Sequence, residues 1–251
     1  MSELTILTYF CNLCPHSDED LIEISGLQYA PKIRIKKVTC SDKIDPYLLV
    51  KALSSDADGI LVTCCYPIDC QNVSDNYIAM YKVFFVKKLI EKVGINFNRI
   101  DYKWISASET ERVRHIINNY TNLIAEIGPM TMDDKNLLQD ELKILKDICT
   151  DSYVNWLFGK SRELVKFGNV YDEKISEEKF LGLIDKILDA EIIRKRIINL
   201  VSEKPLTTID IAKKLSLSPD IAMKHLLALK TRQKIQLKMI NQDAKFMIKG
   251  Y

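Results

Sequence analysis

Cysteine is the residue whose type and spacing point to chemistry in this chain. Six of the seven cysteines lie before residue 71, and they form three groups that each end or follow an apolar, β-prone run. The groups are Cys11 and Cys14 after ELTILTYF, Cys40 at the end of IRIKKVTC, and Cys64, Cys65 and Cys70 after DGILV. Thiolates bind soft metal ions and iron–sulfur clusters, so the pattern indicates a metal or redox site.

The surrounding pattern predicts how these groups are brought together. Four β-like segments alternate with four helical ones, and such repetition is typical of a parallel sheet with helices on both faces. Right-handed crossovers place the carboxyl ends of all parallel strands at one edge of the sheet, where open α/β sheets bind ligands. We therefore expect the cysteines to converge there. The predicted strands are 4–10, 32–39, 59–63 and 99–106, and the predicted helices are 17–27, 45–57, 74–94 and 106–128. Asp45, followed by Pro46, is expected to cap the second helix, and Ser106 or Ser108 to cap the fourth.

The amino-acid composition is typical of a globular protein. Apolar residues make up 47 % and charged residues 28 % of the 251 residues, and the formal net charge is only +2. No apolar run reaches the roughly 18–20 residues that span a bilayer, and MSELTILTYF lacks the basic start of a signal peptide. These features predict a cytoplasmic protein with no membrane partner. In that reducing compartment, clustered cysteines are metal ligands or redox thiols more often than disulfides.

Four interpretations of the cysteines are open on the residues alone. A zinc site would use the pair Cys11-x-x-Cys14 with His16 nearby, but its other ligands would have to come from separate loops. A thioredoxin-like dithiol at the same pair would leave the other groups unexplained. An iron–sulfur cluster takes four thiolates, commonly from more than one loop. The fourth interpretation is that these cysteines are simply small packed side chains.

The second half of the chain carries a different pattern. Residues 131–168 read as helical with a break near Gly159, and 176–203 read as a further helix. Helices at 208–215 and 219–231 with short strands at 234–240 and 244–249 predict a winged helix-turn-helix. We therefore predict three domains: an α/β domain at 1–129, an all-helical connector at 130–189 and a winged-helix-like domain at 190–251.

Two roles are open for the C-terminal domain. It is rich in lysine, which is typical of phosphate contact in DNA binding. The helix at 219–231, however, offers few side chains that read bases, which favours protein docking or dimerisation. An iron–sulfur redox-sensing transcriptional regulator is therefore the alternative function. The three histidines, His16, His115 and His225, have no nucleophile or metal partner at suggestive spacing, so we expect no catalytic residue on this chain. His225, in the helix at 219–231, is expected to face solvent.

Residues 5–128 resemble the delta subunit family of methyl-viologen-reducing hydrogenase, an iron–sulfur subunit that associates with heterodisulfide reductase. The resemblance rests on FCNLCPHSDEDLIEISGLQYAPKIRIKKVTCSDKIDP, DGILVTCCYPIDCQNVSDNY and KWISASE. The cysteines that fall in register with the family pattern are Cys11, Cys14, Cys40, Cys65 and Cys70.

The resemblance implies that four of these five cysteines hold one 2Fe–2S cluster. It also implies that the chain is an electron-transfer subunit rather than a self-sufficient enzyme. Electrons would pass between a hydrogenase or formate dehydrogenase partner and the flavoprotein A subunit of a heterodisulfide-reductase-like complex. The C-terminal domain is an addition that the resemblance does not explain.

The sequence also departs from the family pattern around the cysteines. Tyr66 and Gln71 replace two histidines, Ile68 replaces a glycine, and Cys64 takes the place of another glycine. Asp42-Lys43 stands where the family has Gly-Arg. Hydrogen bonds and charges near the sulfurs tune the potential of a cluster, so these changes predict a shifted reduction potential.

Overall fold

A computed structural model describes residues 4–11, 32–66, 70, 73–106, 109–168, 171 and 173–249. The predicted helix at 17–27 and Cys14 lie outside the described residues. The chain divides into two compact units, residues 1–184 and 185–251. The three-domain division stays a prediction, and its boundary at residue 189 falls within a helix.

The first unit contains a four-stranded parallel sheet, which confirms the predicted α/β fold. Its spatial order is β2-β1-β3-β4. Strand β3 is buried along its whole length, which explains why its sequence, GILVTCC, lacks polar–apolar alternation. The strands are β1 (Thr5–Cys11), β2 (Lys32–Val38), β3 (Gly59–Cys65) and β4 (Ile100–Ile105).

Three helices flank this sheet: α1 (Pro46–Ser55), α2 (Val73–Lys92) and α3 (Thr110–Ile127). The Asp45 side chain accepts a hydrogen bond from the Tyr47 N–H, and Pro46 opens the first turn, as predicted. Gly94 and Gly128 follow α2 and α3 with φ of 83° and 80°, a conformation that glycine adopts without strain.

Buried polar groups lock the start of the sheet. The Asp58 carboxylate accepts the Thr5 N–H at 2.8 Å and the Met130 N–H at 2.9 Å. The Tyr120 hydroxyl accepts the Ile60 N–H at 2.9 Å and lies 2.8 Å from the Arg99 carbonyl oxygen, to which it can donate. These contacts hold β1, β3 and α3 in register at the edge opposite the cysteines.

The remaining helices of the first unit are α4 (Met132–Leu137), α5 (Gln139–Cys149) and α6 (Ser152–Arg162), and a π-helical turn, Glu163–Phe167, follows. The predicted break near Gly159 is wrong. Gly159 lies inside α6, and the chain breaks instead at Thr150–Asp151, where the Asp151 side chain caps α6 by accepting the Tyr153 N–H at 3.0 Å. A single glycine costs a helix only about 1 kcal/mol, which the packing of α6 outweighs.

Helix α7 (Glu177–Glu203) begins in the first unit and ends in the second. It is followed by α8 (Thr208–Lys214), α9 (Pro219–Thr231) and an antiparallel hairpin of β5 (Ile235–Ile240) and β6 (Asp243–Ile248). Leu206 pairs with Phe246 of β6 through backbone hydrogen bonds of 3.1 and 2.8 Å. A separate apolar core fills this unit, built from residues that include Ile197, Val201, Ile211, Leu226 and Phe246.

None of the helices in the described part of the chain combines the length and apolar character needed to cross a membrane.

Candidate cysteine site at the carboxyl edge of the sheet

Strand ends place the described cysteines at one edge of the sheet. Cys11 is the last residue of β1, Cys40 follows β2 by two residues, and Cys64 and Cys65 end β3. Because β2, β1 and β3 are neighbours, their carboxyl ends are adjacent. Cys70 follows in the segment after β3, where its N–H donates to the Tyr66 carbonyl oxygen at 3.1 Å.

Packing separates Cys64 from the other cysteines. Cys11, Cys40 and Cys65 belong to one buried apolar cluster, and the partly buried Cys70 packs against it. Neighbouring residues of a strand point to opposite faces, so Cys64 is not part of this cluster, although its thiol still interacts electrostatically with Cys65 and Cys70. Its sulfur accepts a hydrogen bond from the Tyr102 hydroxyl and interacts with Ser41. The structure thus groups four of the family-pattern cysteines, Cys11, Cys40, Cys65 and Cys70, and leaves Cys64 outside this group.

A chain of hydrogen bonds fixes the turn that carries Cys40. The Ser41 hydroxyl donates to the Thr63 carbonyl oxygen at 2.8 Å, and the Thr63 hydroxyl donates to the Tyr9 carbonyl oxygen at 2.7 Å. The turn after β2 is thereby tied to β3, and β3 to β1. Three cysteine-bearing segments are therefore held together by contacts that do not involve sulfur.

Burial keeps the Cys40 and Cys64 thiols protonated at neutral pH. It raises the pKa of Cys40 to about 12, and the Asp42 carboxylate and Cys11 add to this rise while the Asp42 N–H opposes it. Burial also raises the pKa of Cys64 to about 11, although hydrogen bonds from Tyr102 and Ser41 work in the other direction. The Cys11 thiol donates to the Thr39 carbonyl oxygen at 3.5 Å. Any metal bound here would have to displace protons from buried sulfur.

The donor atoms are of the type that a soft metal centre prefers. The described residues, however, do not supply a complete set of ligands. Cys11, Cys40, Cys65 and Cys70 offer only sulfur, which favours iron–sulfur, zinc or cuprous centres. Among the residues that the structure describes, no three histidine, cysteine or acidic side chains are close enough to hold one ion. Cys14 lies in the undescribed segment directly after β1.

An aromatic wall stands beside this edge. The rings of Tyr66 and Trp104 stack with centroids 6.2 Å apart, and Tyr77 and Tyr102 meet Trp104 edge-on at 6.0 and 5.1 Å. The Arg112 guanidinium lies 5.4 Å from the centre of the Tyr66 ring. These side chains, apart from Tyr77, line an open cavity of 540 Å³ along β4. Tyr66, which stands where the family pattern has a histidine, is therefore one of the side chains of this aromatic wall.

Some contacts at this edge were not predicted from the sequence, and other residues have surroundings different from those expected. Tyr102, which lies against Cys64, carried no motif, because its partner is 38 positions away in sequence. Helix α3 is capped at Glu109 without a side-chain hydrogen bond, so Ser106 does not cap it, and Ser108 lies outside the described residues. His225, expected to face solvent, is 8 % exposed.

The fold and this edge define the class of protein. The described residues between 5 and 127 form an open, parallel α/β domain with a thiol-rich carboxyl edge and without a histidine-based site. The family model of the methyl-viologen-reducing hydrogenase delta subunit matches residues 6–128. The chain belongs to that family.

Named relatives support this assignment over the same half of the chain. The iron–sulfur subunit of the F420-non-reducing hydrogenase vhc from Methanococcus voltae is 33 % identical over 139 residues, which is 55 % of this chain and 96 % of the relative. The iron–sulfur subunit of the F420-non-reducing hydrogenase from Archaeoglobus profundus is 29 % identical over 131 residues, 52 % of this chain and 96 % of the relative.

A second kind of relative contains the same domain within a longer chain. The A subunit of the ferredoxin/F420H2-dependent CoB-CoM heterodisulfide reductase from Methanosarcina acetivorans is 32 % identical over 130 residues. That alignment covers 52 % of this chain but only 16 % of the relative. The domain therefore occurs both as a separate hydrogenase subunit and as part of a heterodisulfide reductase chain.

Proposed function

We propose that this chain is an iron–sulfur electron-transfer subunit that works in the cytoplasm. It relays electrons between a hydrogenase or formate dehydrogenase partner and a heterodisulfide-reductase-like flavoprotein. The observation that carries the proposal is the packing of Cys11, Cys40 and Cys65 in one cluster, with Cys70 against it, inside the family-matched domain. The relatives named as iron–sulfur subunits support the choice of iron–sulfur over zinc.

We assign the ligands of a 2Fe–2S cluster to four of Cys11, Cys14, Cys40, Cys65 and Cys70. When bound, such a cluster takes up and returns one electron. The chain's own part is to hold the sulfurs in place and to control their surroundings. Ser41 and Thr63 fix the Cys40 turn, and the apolar side chains around Cys65 limit the access of water. Low water access strengthens each hydrogen bond or charge near the sulfurs.

The charges beside Cys40 suggest how this member of the family is tuned. The Asp42 carboxylate lies next to Cys40, is 8 % exposed, and pairs with the Lys43 ammonium at 2.8 Å. The Lys82 ammonium donates to the Asp42 carbonyl oxygen. A buried negative charge disfavours the addition of an electron nearby, so Asp42 in place of glycine lowers the potential.

The partners follow from the two kinds of relative. Similarity to hydrogenase subunits supports an electron-donating hydrogenase, and similarity to part of a heterodisulfide reductase A subunit supports an acceptor of that type. Formate dehydrogenase is the alternative donor that the family resemblance implies. A regulator that senses redox state remains the alternative function, and it requires cluster-dependent binding of DNA.

The element order of the second unit supports a winged helix. A helix, a short extended segment at Leu206, two helices and a hairpin follow one another, and Leu206 adds an edge to the hairpin by pairing with Phe246. That order of elements suits the predicted winged helix-turn-helix.

Anaerobic purification with iron and sulfide analysis and EPR of the reduced protein tests the proposal. We expect about two irons and two sulfides per chain and a signal from one cluster. Serine at Cys11, Cys40, Cys65 or Cys70 removes a soft ligand, and most of these variants should lose iron. Four ligands are needed and five cysteines are candidates, so no more than one of the five serine variants should retain the full iron content.

Cys64→Ser and Cys149→Ser are the matched controls, since Cys64 lies outside the apolar cluster of Cys11, Cys40 and Cys65, and Cys149 is buried in α5. Both should keep normal iron content. Purified chain that contains neither iron nor sulfide, or that loses iron only in the Cys64 variant, would contradict the assignment.

A further inference from the structure

Formal charge is divided unevenly between the two units. Residues 185–251 carry 14 lysines and arginines against 7 acidic residues, a net charge of +7. Residues 1–184 carry a net charge of −5, so the total of +2 conceals the difference. A strongly basic unit attached to an acidic one indicates an anionic partner for the basic unit.

Four lysines of the second unit meet around one concavity. The cavity measures 490 Å³ and lies between the segment before α8, the end of α8 and strand β6. Leu206 and Pro205 contribute its apolar floor. The charged residues that line it are Lys204, Asp210, Lys213, Lys214 and Lys245.

Only one carboxylate lies in this lysine pocket, among four lysines, so most of its positive charge is not neutralised by the residues that line it. Among the described residues, Lys204, Lys213 and Lys214 make no ion pair, and Lys245 reaches Asp243 only at 3.8 Å. The carboxylate of Asp210 is engaged at the start of α8, where it accepts the Thr207 hydroxyl at 2.7 Å. Four lysines therefore share one carboxylate, which interacts electrostatically with Lys213 and Lys245 and is already hydrogen-bonded to Thr207.

Helix α9 would be the base-contacting helix of a winged helix, but it has few side chains suited to that contact. The exposed face of α9 includes Met223 and Leu227, which are 38 % and 53 % exposed. No arginine, asparagine or glutamine lies within α9, so the only basic side chains with which it could reach base edges are Lys224 and Lys230. With so few base-reading side chains, nucleic acid bound by this unit would be held mainly through its phosphates.

We propose that the lysine pocket binds the phosphate backbone of double-stranded DNA, independently of base sequence. Lysine ammonium groups are compact point charges that bind phosphate oxygens without a fixed geometry. A net charge of +7 exceeds what one phosphate would need, which favours a polyanion over a free nucleotide. The inference does not depend on the iron–sulfur proposal, because it concerns a separate unit with its own core.

Fluorescence anisotropy of the full-length, anaerobically purified chain with labelled duplexes tests this proposal. Binding should be similar for duplexes of unrelated sequence and should weaken steeply between about 50 and 200 mM KCl. The double variant Lys213→Gln/Lys214→Gln should bind more weakly. The slope of log affinity against log salt should fall by about 1 for each lysine removed.

Lys224→Gln/Lys230→Gln is the matched control, because it removes the same charge from exposed positions of α9 outside the pocket. It should keep the slope of the unaltered chain. An equal loss in both double variants would overturn the pocket as the site. Tight binding to polyglutamate with none to duplex DNA would overturn DNA as the ligand in favour of an acidic protein, and base-selective binding would overturn the backbone mode. Iron content, measured in parallel, separates failure here from failure of the cluster.

Discussion

At the scale of single residues, two adjacent cysteines of β3 illustrate how the sheet assigns roles. Cys65 shares its surroundings with Cys11 and Cys40, whereas Cys64 contacts the Tyr102 hydroxyl. Strand alternation makes this difference, because consecutive side chains cannot share a face. The extra cysteine therefore adds a thiol outside the apolar cluster that contains Cys11, Cys40 and Cys65.

Asp58 is the residue whose replacement should damage the first unit most directly. Asp58→Ala leaves the partly buried Thr5 N–H and the buried Met130 N–H without their acceptor. Each unsatisfied group costs about 1–3 kcal/mol, so we expect a loss of roughly 2–5 kcal/mol in the free energy of unfolding. Urea denaturation followed by tryptophan fluorescence measures it, since Trp104 and Trp156 both lie in this unit.

Asp56→Ala is the control for this change. Asp56 is 56 % exposed and pairs with Arg34 at the surface, where ion pairs contribute about 0–1 kcal/mol. A loss as large for Asp56→Ala as for Asp58→Ala would show that the buried hydrogen bonds are not the cause.

At the scale of elements, helix α9 carries a buried imidazole in an electrostatically unfavourable place. The pKa of His225 is lowered from 6.5, first by burial and then by Arg194 and Lys224, while Glu191 acts in the opposite direction. Its Nδ1 has no hydrogen-bond partner among the described residues. The folded unit therefore keeps His225 neutral at a pH where the unfolded chain takes up a proton.

The second unit should therefore lose stability as the pH falls below about 6.5. Above that pH the imidazole is neutral in both states. Below it the unfolded state takes up a proton first, and the free energy of unfolding falls by up to about 1.4 kcal/mol for each pH unit. His225→Leu removes this contribution and should flatten the dependence between pH 7 and 5. Pulsed hydrogen exchange of peptides from α9 across a urea series measures the difference. An unchanged pH dependence in the variant would contradict the assignment.

Local patterns in the sequence were sufficient for the sheet but not for the contacts that hold it. Asp45-Pro46 and the glycines at 94 and 128 gave helix ends correctly, because caps depend on neighbouring residues. The hydrogen bonds of Asp58 and Tyr120 join residues 21 to 72 positions apart, and no local pattern contains them. The burial of His225 was missed for the same reason, since it depends on packing between helices.

At the scale of the whole molecule, each unit has a core of its own. The cluster that contains Cys11, Cys40 and Cys65 draws on residues 6–124, and the core of the second unit draws on residues 197–246. Separate cores allow one unit to be weakened while the other stays intact.

Glu191→Ala should show this separation. Glu191 is 1 % exposed and its carboxylate binds the guanidinium groups of Arg194, at 2.5 Å, and Arg232, at 2.8 Å. Breaking a buried ion pair by removing one partner costs about 3–5 kcal/mol, so hydrogen exchange should accelerate throughout 185–251. Iron content should stay normal. Glu203→Ala, at an exposed position of the same helix, should change neither quantity, and iron loss in the Glu191 variant would refute the separation.

The opposite net charges of the two units also have a practical consequence for handling the protein. At low ionic strength, the basic unit of one molecule attracts the acidic unit of another, although the isoelectric point of about 8.0 suggests a nearly neutral particle. The Debye length shortens from about 30 Å at 0.01 M to about 10 Å at 0.1 M salt. Dilute buffers should therefore promote self-association of the chain, which moderate salt reverses. The chain should also be retained on both cation- and anion-exchange columns.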